Sequence, residues 1–533
     1  MARASDPSEP GAEPPAGGPV GTPADGPWSY RGGRRRRPSF LVVVMDCVRA
    51  SDFPGGAVGV AGLPTIEALR HESIVFERAA SVAPWTIPAH ASLFTGRYPW
   101  EHRAHAKGRL QLDEAAPRLP SLLRPYGYRS LLLSANPLLS PAFGLTAGFD
   151  AAAWSEWWEP YVRMTPSSHR PRELGERRAP APSVFQRIHD SPLVGLLHRS
   201  ADVVYRHPFL VDGANRFLQR LLFPRDPSYA PVAGWIEPTF DAWLRSLPPD
   251  APYFTVVNLL DAHEPYFADP EVVRSLRDYL RYVRTPQDRP SVISGRWAPT
   301  PTELDLIRRL YRASLKVVDQ RLSALIDILR RSGRWDDTYL ILTSDHGQAF
   351  GEHGTMFHMH RADEPLLRIP LWVRAPGGRG GGATAVGWAS LVDIAPTVLA
   401  AAGAIDLGGC SGVPLSLLER AERPDPLPAM ADGLALDQER RQLTEERQRW
   451  VDRVWAAAYR GDLKVVFNIS DGALTAFNIR DDPAETHDLW SEGDPRLAPL
   501  AAEARRVASE LGSGAAAERS DDVEERLRSW GYI

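Results

Sequence analysis

The sequence predicts an α/β protein, in which a mostly parallel sheet lies between helical layers and a smaller C-terminal α+β unit follows. Two apolar runs carry this prediction, Phe40–Met45 and Tyr339–Thr343, and both have the length of a buried parallel strand. Each run ends in an acid, which is Asp46 in the first and Asp345, followed by His346, in the second. Open α/β sheets place their ligands at the carboxyl ends of strands, so these ends are candidate site positions.

Asp46, Asp345 and His346 would form half of a divalent metal site if the two strands delivered them to one edge of the sheet. The alternative is that each acid only caps the turn after its strand, which is the usual role of an isolated aspartate. Asp46 taken alone favours that alternative, so the metal site depends on what the rest of the chain adds.

The segment between the two strands contains a helix that begins at a hydroxyl residue. Pro88 fits the first turn and Gly96 fits the C-terminal cap, which predicts a helix from about Ile87 to Thr95. Thr86 then lies at the N-terminus, where free backbone N–H groups and the helix dipole favour an anion and lower the cost of forming an alkoxide. Thr86 is therefore a candidate nucleophile toward a phosphate or sulfate ester, with an ordinary N-cap threonine as the alternative.

Together these segments resemble the sulfatase family of the alkaline phosphatase superfamily. The resemblance extends from about residue 38 to the end of the chain and keeps the family's order of segments. The matching segments are 42–49, 84–97, 258–266, 343–347, 351–354, 368–374, 392–397, 478–485 and 527–533. The resemblance implies the alkaline-phosphatase/sulfatase-like form of the α/β fold, and an enzyme that binds a divalent metal.

The resemblance also implies the metal ligands, which are Asp46, Asp345, His346 and the oxygen of Thr86. Hard oxygen ligands with one imidazole suit Zn²⁺ or Mn²⁺ better than Ca²⁺, which prefers all-oxygen shells. Sulfatases that use Ca²⁺ typically hold an Asn where His346 stands. We therefore expect zinc or manganese rather than calcium.

Four histidines are candidates for contact with the substrate. His263 lies in a segment that resembles the family's His-x-Pro-Tyr, whose histidine faces the substrate. His263 and His358 resemble the two histidines that threonine-type phosphoethanolamine transferases aim at the phosphoryl group or at a second zinc. Both are therefore catalytic candidates, and a second metal is compatible with the resemblance. His90, on the exposed side of the predicted helix, and His353 are further candidates for substrate binding.

Two positions depart from the pattern of true sulfatases. Those enzymes carry a Cys or Ser that is oxidised to formylglycine, and an Arg four residues later, whereas this chain has Thr86 and His90. Oxidised threonine would be a ketone, so the usual aldehyde hydrate is not available as a nucleophile. Threonine is the nucleophile in superfamily members that transfer or hydrolyse phosphoesters, including phosphodiesterases.

The sequence therefore predicts a metal-dependent hydrolase or transferase that acts on an anionic ester, with a phosphoester favoured. A sulfuric ester is the first alternative. A catalytically inactive binding protein on the same fold is the second, and the presence of Thr86 and of the metal residues speaks against it.

Composition excludes several other classes of protein. The chain has 533 residues and a net charge of -4, which gives no reason to expect nucleic acid as a partner. Only Cys47 and Cys410 are present, so no disulfide framework is implied. No stretch approaches the roughly 18 apolar residues of a membrane span, and we recognise no export signal. The expected location is the cytoplasm.

We predict a disordered segment 1–37, a catalytic domain 38–420 with a variable insertion 154–231, and a C-terminal α+β subdomain with a helical tail, 421–533. The insertion is rich in arginine and contains an amphipathic stretch, 209–223. One interpretation is a basic, amphipathic cover that contacts an anionic lipid surface or a large anionic substrate. The alternative is an ordinary helix packed on the core. The expected substrate is a small or lipid-linked anionic ester.

Other patterns predict individual elements of structure. Thr302–Arg331 is a long helix in which Asp319 is expected to be structural, and Glu439–Arg453 is a charged helix. Val454–Tyr459 and Leu463–Asn468 are predicted strands of the C-terminal unit.

Overall fold

The structure is a computed structural model that describes residues 37–155, 162–164, 234–287, 289–404, 406, 408–433 and 443–512. Predictions for segment 1–36, for most of the insertion 154–231 and for the tail beyond 512 lie outside the described residues. Within the described ranges, no helix combines the length and the apolar character that crossing a membrane requires.

The strands are β1 (Ser39–Met45), β2 (Ile74–Phe76), β3 (Ala79–Ala80), β4 (Arg129–Ser134), β5 (Ala151–Ser155), β6 (Val162–Met164), β7 (Tyr253–Leu259), β8 (Thr338–Thr343), β9 (Ala349–Phe350), β10 (Met356–Phe357), β11 (Leu371–Arg374), β12 (Thr384–Ala385), β13 (Ala389–Ser390), β14 (Leu427–Ala431), β15 (Trp455–Arg460), β16 (Leu463–Asn468) and β17 (Leu474–Asn478).

The α-helices are α1 (Pro64–Glu72), α2 (Thr86–Thr95), α3 (Pro99–His102), α4 (Leu119–Leu123), α5 (Ile236–Ser246), α6 (Leu276–Arg284), α7 (Arg289–Ile293), α8 (Pro301–Arg331), α9 (Glu364–Leu367), α10 (Ile394–Ala401), α11 (Leu415–Leu418), α12 (Glu445–Val451) and α13 (Ala498–Gly512).

The main sheet has the strand order β12-β2-β11-β8-β1-β7-β4-β5-β6. Its centre is parallel, because β1 pairs in parallel with both β8 and β7, and β4 pairs in parallel with β7 and β5. The antiparallel pairings are β11 with β8 and β2, and β6 with β5. The mostly parallel α/β sheet predicted from sequence is therefore confirmed.

Both faces of the sheet are covered, as the continuous apolar runs require. Successive residues of β1 alternate between two cores: Val42 faces the core that includes α2 and α10, and Val43 faces the core that includes α1, α5 and α8. Both valines have an exposed fraction of 0%. Burying such a side chain contributes about 1.5–3 kcal/mol, so substitutions in β1 would disturb the strand that carries Asp46.

A second, antiparallel sheet of order β14-β15-β16-β17 forms the C-terminal unit, which confirms its expected α+β character. α13 packs against this sheet. A shared apolar cluster joins it to the catalytic unit, with Ala429 and Tyr459 on one side and Leu367 and Trp388 on the other. This docking brings the end of β14 close to the start of α2.

Most element predictions hold to within one residue. The helix predicted at Ile87–Thr95 is α2 and ends at Gly96, whose φ of 67° is the left-handed C-cap that glycine favours. The strand predicted at Val454–Tyr459 is shifted by one residue. For the helix predicted at Glu439–Arg453, the structure describes only the part from Glu445 to Val451, since 434–442 lie outside the described residues.

Asp319 of α8 is structural, as predicted. Its carboxylate accepts hydrogen bonds from the backbone N–H groups of Thr65 and Ile66, at 3.2 and 2.8 Å, in the first turn of α1. It thereby satisfies donors that have no partner within their own helix.

Candidate active site

Residues that follow four neighbouring parallel strands meet at one edge of the main sheet. β1 ends before Asp46, β8 ends two residues before Asp345, β4 ends two residues before Asn136, and the loop after β7 carries His263. Because these strands run in the same direction, their carboxyl ends lie side by side. Residues that are far apart in the sequence thus become neighbours.

Asp46, Asp345 and His346 form the centre of the site, and each has an exposed fraction of 0%. Nε2 of His346 lies 3.4 Å from Oδ2 of Asp345 and 3.8 Å from Oδ1 of Asp46. Nitrogen and oxygen ligands at about 2.0–2.1 Å from a tetrahedral zinc ion are separated by about 3.3 Å. The spacing of these three atoms is therefore close to what one metal ion requires.

The hydrogen bonds of His346 decide which ring nitrogen carries the hydrogen. Nδ1 donates to the backbone carbonyl of Gly347 at 2.9 Å, so the lone pair is on Nε2, toward the two carboxylates. Burial, together with nearby His358, lowers the pKa of His346 to about 3, and the ring is neutral near pH 7. Among the described residues, neither Nε2 of His346 nor Oδ2 of Asp345 has a hydrogen-bond partner. Since buried polar atoms are nearly always paired, these atoms fit a bound cation.

The two carboxyl groups have opposite shifts in pKa. Burial raises both, but for Asp46 the electrostatic interactions with the imidazoles of His263 and His346 and a hydrogen bond from Asn136 more than compensate, and its pKa is lowered. For Asp345 the charge of Asp46 adds to the effect of burial, and its pKa is raised well above the usual range. Two acids this close do not both ionise easily without a cation, which would favour the ionised form of each.

The side chain of Thr86 shares the partner Asn136 with Asp46 and does not cap its helix. Trp85 occupies the N-cap position of α2, and Thr86 is the first helical residue. Nδ2 of Asn136 lies 3.3 Å from Oγ1 of Thr86 and donates to Oδ2 of Asp46 at 2.8 Å. Asn136 thus holds the hydroxyl oxygen beside Asp46, and the ordinary N-cap alternative does not describe Thr86.

His90 lies one turn further along α2, and its expected position on an exposed side of the helix is wrong. Its exposed fraction is 0%, because every residue of α2 is buried and the helix packs against α3, α4 and α10. Nδ1 donates to the carbonyl of Thr86 at 3.0 Å and lies 3.6 Å from Oδ2 of Asp345. Burial lowers the pKa of His90 to about 4, so it is neutral near pH 7.

His263 and His358 lie together, on either side of Glu264. Oε1 of Glu264 is 3.4 Å from Nδ1 of His358, Oε2 is 3.6 Å from Nδ1 of His263, and the two rings are 4.9 Å apart. Nε2 of Gln348 donates to Oε2 of Glu264 at 2.6 Å. Burial raises the pKa of Glu264, but the two histidines and this hydrogen bond outweigh it and hold the pKa well below the usual range.

His353 is not brought to these residues. It is exposed, and its potential ligand atom lies within 4.8 Å of those of Asp363 and Glu485. A role of His353 in binding the substrate stays a prediction.

Sequence reasoning did not select several residues that complete the site. Oδ2 of Asp46 also faces Nδ2 of Asn258, at 3.3 Å. Asn136 and Asn258 both lie at strand ends, so the rule that selected Asp46 would have found them had it been applied to amides as well as to acids. The unselected residues are Cys47, Asn136, Asn258, Glu264 and Gln348.

The mostly parallel sheet and the acids at its carboxyl edge fit the class that the sequence resembles, which is the alkaline phosphatase superfamily. The sequence model of the Sulfatase family matches residues 38–404. The chain therefore belongs to the Sulfatase family.

Curated relatives agree with this membership. The choline-sulfatase of Rhizobium meliloti (strain 1021) is 24% identical over 361 residues, which are 64% of this chain and 63% of that protein. The chain thus matches slightly less than two thirds of that protein's length. The multifunctional alkaline phosphatase superfamily protein PehA of Trinickia caryophylli is 25% identical over 434 residues, 75% of this chain and 78% of the relative.

Solved structures share the fold. A structure in complex with its substrate D-glucosamine-2-N,6-O-disulfate superposes with a TM-score of 0.61 at 14% identity, covering 91% of this chain and 100% of the other. The phosphonate monoester hydrolase of Agrobacterium radiobacter gives 0.57 at 18% identity, covering 89% and 96%.

Proposed function

We propose that the chain is a metal-dependent ester hydrolase or transferase in which Thr86 attacks the anionic centre of the substrate, and that phosphoesters are its preferred substrates. The position of Thr86 Oγ1, fixed beside Asp46 by Asn136 at the start of α2, carries this proposal. The site is buried, so these dipoles and charges act with little screening by water.

Asp46, Asp345, His346 and the Thr86 oxygen would hold the metal. When bound, a divalent cation lowers the pKa of a coordinated hydroxyl and stabilises negative charge on the transferring group. The amide groups at the start of α2 favour the same negative charge. Zn²⁺ or Mn²⁺ suits this ligand set better than Ca²⁺.

In the first step the Thr86 hydroxyl gives up its proton to solvent and Oγ1 forms a bond to phosphorus. The bond from phosphorus to the leaving oxygen breaks, that oxygen takes up a proton to become the alcohol, and a phosphothreonine is left. His263 and His358 would stabilise charge on the phosphoryl oxygens or give a proton to the leaving oxygen. In the second step water, or an acceptor alcohol in a transferase, takes the phosphoryl group from Thr86 and restores the free hydroxyl.

A sulfuric ester is the second candidate, and the relatives favour it. Several of them are named sulfatases, among them the choline-sulfatase and the arylsulfatase of Volvox carteri, which is 34% identical over 122 residues. The chemistry of Thr86 favours phosphate, because a sulfated threonine cannot be released by the elimination that an aldehyde hydrate allows. An inactive binding protein is the third candidate, and any turnover that depends on Thr86 excludes it.

Purified protein should be assayed on an aryl phosphate monoester, an aryl phosphodiester and an aryl sulfate with the same leaving group. We expect the phosphodiester or phosphomonoester to be cleaved faster than the sulfate. A clear excess of sulfate cleavage would overturn the preference and make the protein a sulfatase in activity as well as in family.

The same assay after chelation and reloading tests the metal. We expect Zn²⁺ or Mn²⁺ to restore turnover and Ca²⁺ to fail, because His346 supplies a nitrogen ligand. Tight binding of Ca²⁺ without activation by zinc or manganese would contradict this choice. Cytoplasmic location and membrane contact through 154–231 stay predictions.

A further inference from the structure

Asp261 is a buried acid in the loop after β7, two residues before His263. Its exposed fraction is 8%, and the neighbouring Ala262 belongs to the apolar core that includes α1, α5 and α8. The proposed reaction uses His263 but gives Asp261 no role. A carboxylate in such surroundings is costly unless it is paired with a group of opposite charge.

The partner of Asp261 is Arg321, which lies well inside α8 and has an exposed fraction of 9%. Nε of Arg321 donates to Oδ1 of Asp261 at 2.9 Å, and Nη1 donates to Oε1 of Glu237, in the first turn of α5, also at 2.9 Å. Burial lowers the pKa of Arg321, but the two carboxylates outweigh it and raise that pKa, so the guanidinium is charged. We call Glu237, Asp261 and Arg321 the Arg321 triad.

A tight turn, residues 260–263, connects this ion pair to the catalytic histidine. The backbone N–H of His263 donates to the carbonyl three residues earlier at 3.0 Å, which places Asp261 at the centre of the turn. The last residue of β7 precedes the turn, and its carbonyl accepts from the backbone N–H of Asp46 at 2.9 Å. The sheet thus fixes the start of the turn, and Arg321 fixes its centre. The position of His263 depends on both.

The Arg321 triad is better suited to orientation than to stability. Removing two charges from water costs about as much as their attraction returns, so well-packed apolar residues often serve stability equally well. A guanidinium fork, in contrast, fixes the direction of each partner, because its N–H groups lie in one plane. Oδ2 of Asp261 has no hydrogen-bond partner in the part of the chain that the structure describes, so the orientation of this carboxylate depends on Arg321.

We propose that Arg321 is a positioning residue for the reaction, which acts through Asp261 to hold the turn 260–263 in the geometry that places the ring of His263 at the transferring group. The proposal rests on the proposed function only in that His263 takes part in turnover, and it is independent of which ester is cleaved. A displacement of about 1 Å at a reacting group can lower a rate by about 10²-fold. Loss of the ion pair should therefore affect turnover strongly.

Asp261→Ala tests the proposal with little risk to the fold, because Arg321 stays paired with Glu237 and no unpaired charge is left buried. Turnover is measured with the aryl ester that the parent cleaves fastest. We expect kcat to fall by about 10-fold or more, with KM and bound metal nearly unchanged, because the histidine acts in the transition state. Asp261→Asn should keep most of the rate, since its amide oxygen still accepts from Arg321.

The same substitution in a His263→Ala background separates positioning from a general structural effect. If Asp261 acts through His263, the substitution should lower kcat by less than about twofold once the imidazole is absent. A further loss as large as the loss in the parent would overturn the proposal. If Asp261→Ala does not fold, Arg321→Lys, which keeps the charge but not the fork, replaces it in both backgrounds, and the same two outcomes decide.

Glu237→Gln is the matched control. It removes the other ion pair of the same guanidinium and leaves the hydrogen bond between Arg321 and Asp261. We therefore expect a lower thermal midpoint with kcat nearly unchanged. A fall in kcat equal to that of Asp261→Ala would show that loss of either ion pair disturbs the site, and it would overturn a specific action through Asp261.

A crystal structure of Asp261→Ala provides a measurement that does not need activity. We expect the ring of His263 to be displaced by about 1 Å or more relative to the parent, and an unmoved ring would contradict the proposal. Near-normal turnover in Thr86→Ala would overturn the proposed function instead, and the position of the His263 ring would still decide on Arg321.

Discussion

Two buried carboxylates near the start of α2, Asp345 and Asp432, have very different environments in the same protein. Both have an exposed fraction of 0%. Asp432 follows β14 of the C-terminal unit, and both of its oxygens are paired with protein donors. Oδ1 accepts from the ring N–H of Trp85 at 2.9 Å, and Oδ2 accepts from Nδ1 of His105 and the backbone N–H of Lys107, each at 3.0 Å.

Asp345 is paired at one oxygen only. Its Oδ1 accepts from the backbone N–H of His346 at 2.9 Å, while its Oδ2 has no hydrogen-bond partner among the described residues. Burial and the charge of Asp46 raise the pKa of Asp345 well above the usual range. For Asp432, burial is outweighed by the hydrogen bonds and charge of its partners, and its pKa is lowered.

The difference in pairing indicates a structural role for Asp432 and a different role for Asp345. Asp432 joins the C-terminal unit to Trp85, the residue before Thr86, and the protein itself satisfies its charge. Oδ2 of Asp345 lies 3.4 Å from Nε2 of His346 and 3.6 Å from Nδ1 of His90, and it has no hydrogen-bond partner in the part of the chain that the structure describes. Such an oxygen is stable only if a cation or a proton is supplied. We propose that an incompletely satisfied buried carboxyl group marks the functional site in this protein.

The largest expected effect is at Thr86. Thr86→Ala should lower turnover by about 10⁴-fold or more, since it removes the attacking oxygen. Thr86→Ser should keep part of the rate. Because Asp432 holds the start of α2 from the other side, the thermal midpoint of Thr86→Ala should stay close to that of the parent.

Thr95→Ala, at the last residue of the same helix, is the matched control for Thr86→Ala. The Thr95 hydroxyl donates to the carbonyl of Ala91 at 2.7 Å, far from the acids, so its loss should leave turnover nearly unchanged. Near-normal rates in Thr86→Ala, measured on the same substrate, would remove Thr86 as the nucleophile.

The comparison of the two carboxylates is sharpened by replacing each with Asn. In protein stripped of metal, Asp432→Asn should lower the free energy of unfolding by about 2–4 kcal/mol, because its new NH₂ group faces other donors. Asp345→Asn should leave that free energy unchanged or raise it, while metal affinity falls. Urea unfolding with and without metal gives both values. If both substitutions lowered the free energy of unfolding of the metal-free protein equally, the distinction between Asp432 and Asp345 would be wrong.

The histidines provide a third contrast. His263→Ala or His358→Ala should lower the rate by about 10²-fold if each acts as an acid or a charge stabiliser. His105→Gln, at the Asp432 partner, should lower stability and change the rate far less. Effects below about threefold at both His263 and His358 would place them outside the reaction.

The smallest effect concerns pH and the stability of the fold. The pKa of Asp432 is lower in the folded protein than the value of about 3.9 expected for an unfolded chain. Its contribution to stability is therefore complete above that value and is lost as the pH falls through the folded-state pKa. The stability difference between the parent and Asp432→Asn should stay constant from neutral pH to about pH 5 and shrink below about pH 4. If the stability difference between the parent and Asp432→Asn instead grew as the pH fell, the predicted direction of the Asp432 contribution would be wrong.

The sequence predicted the parts of this site that depend on local pattern. The apolar runs before Asp46 and Asp345 and the Pro88–Gly96 helix signals predicted their elements to within one residue, since strand and helix limits depend on neighbouring residues. Burial of His90 was missed because it depends on tertiary packing around α2. Asp432 could not be selected, since its partners come from segments more than three hundred residues away in sequence.

Direct detection of a phosphothreonine tests the central claim. Protein mixed with excess aryl phosphoester, quenched in acid within a few turnovers and digested, can be analysed by mass spectrometry of the peptide that contains Thr86. We predict that phosphorylated Thr86 appears only when substrate is present, and that in Thr86→Ser the phosphoryl group is found on the substituted serine. Rapid turnover under the same quench with no phosphoryl group on this peptide would contradict a threonine nucleophile.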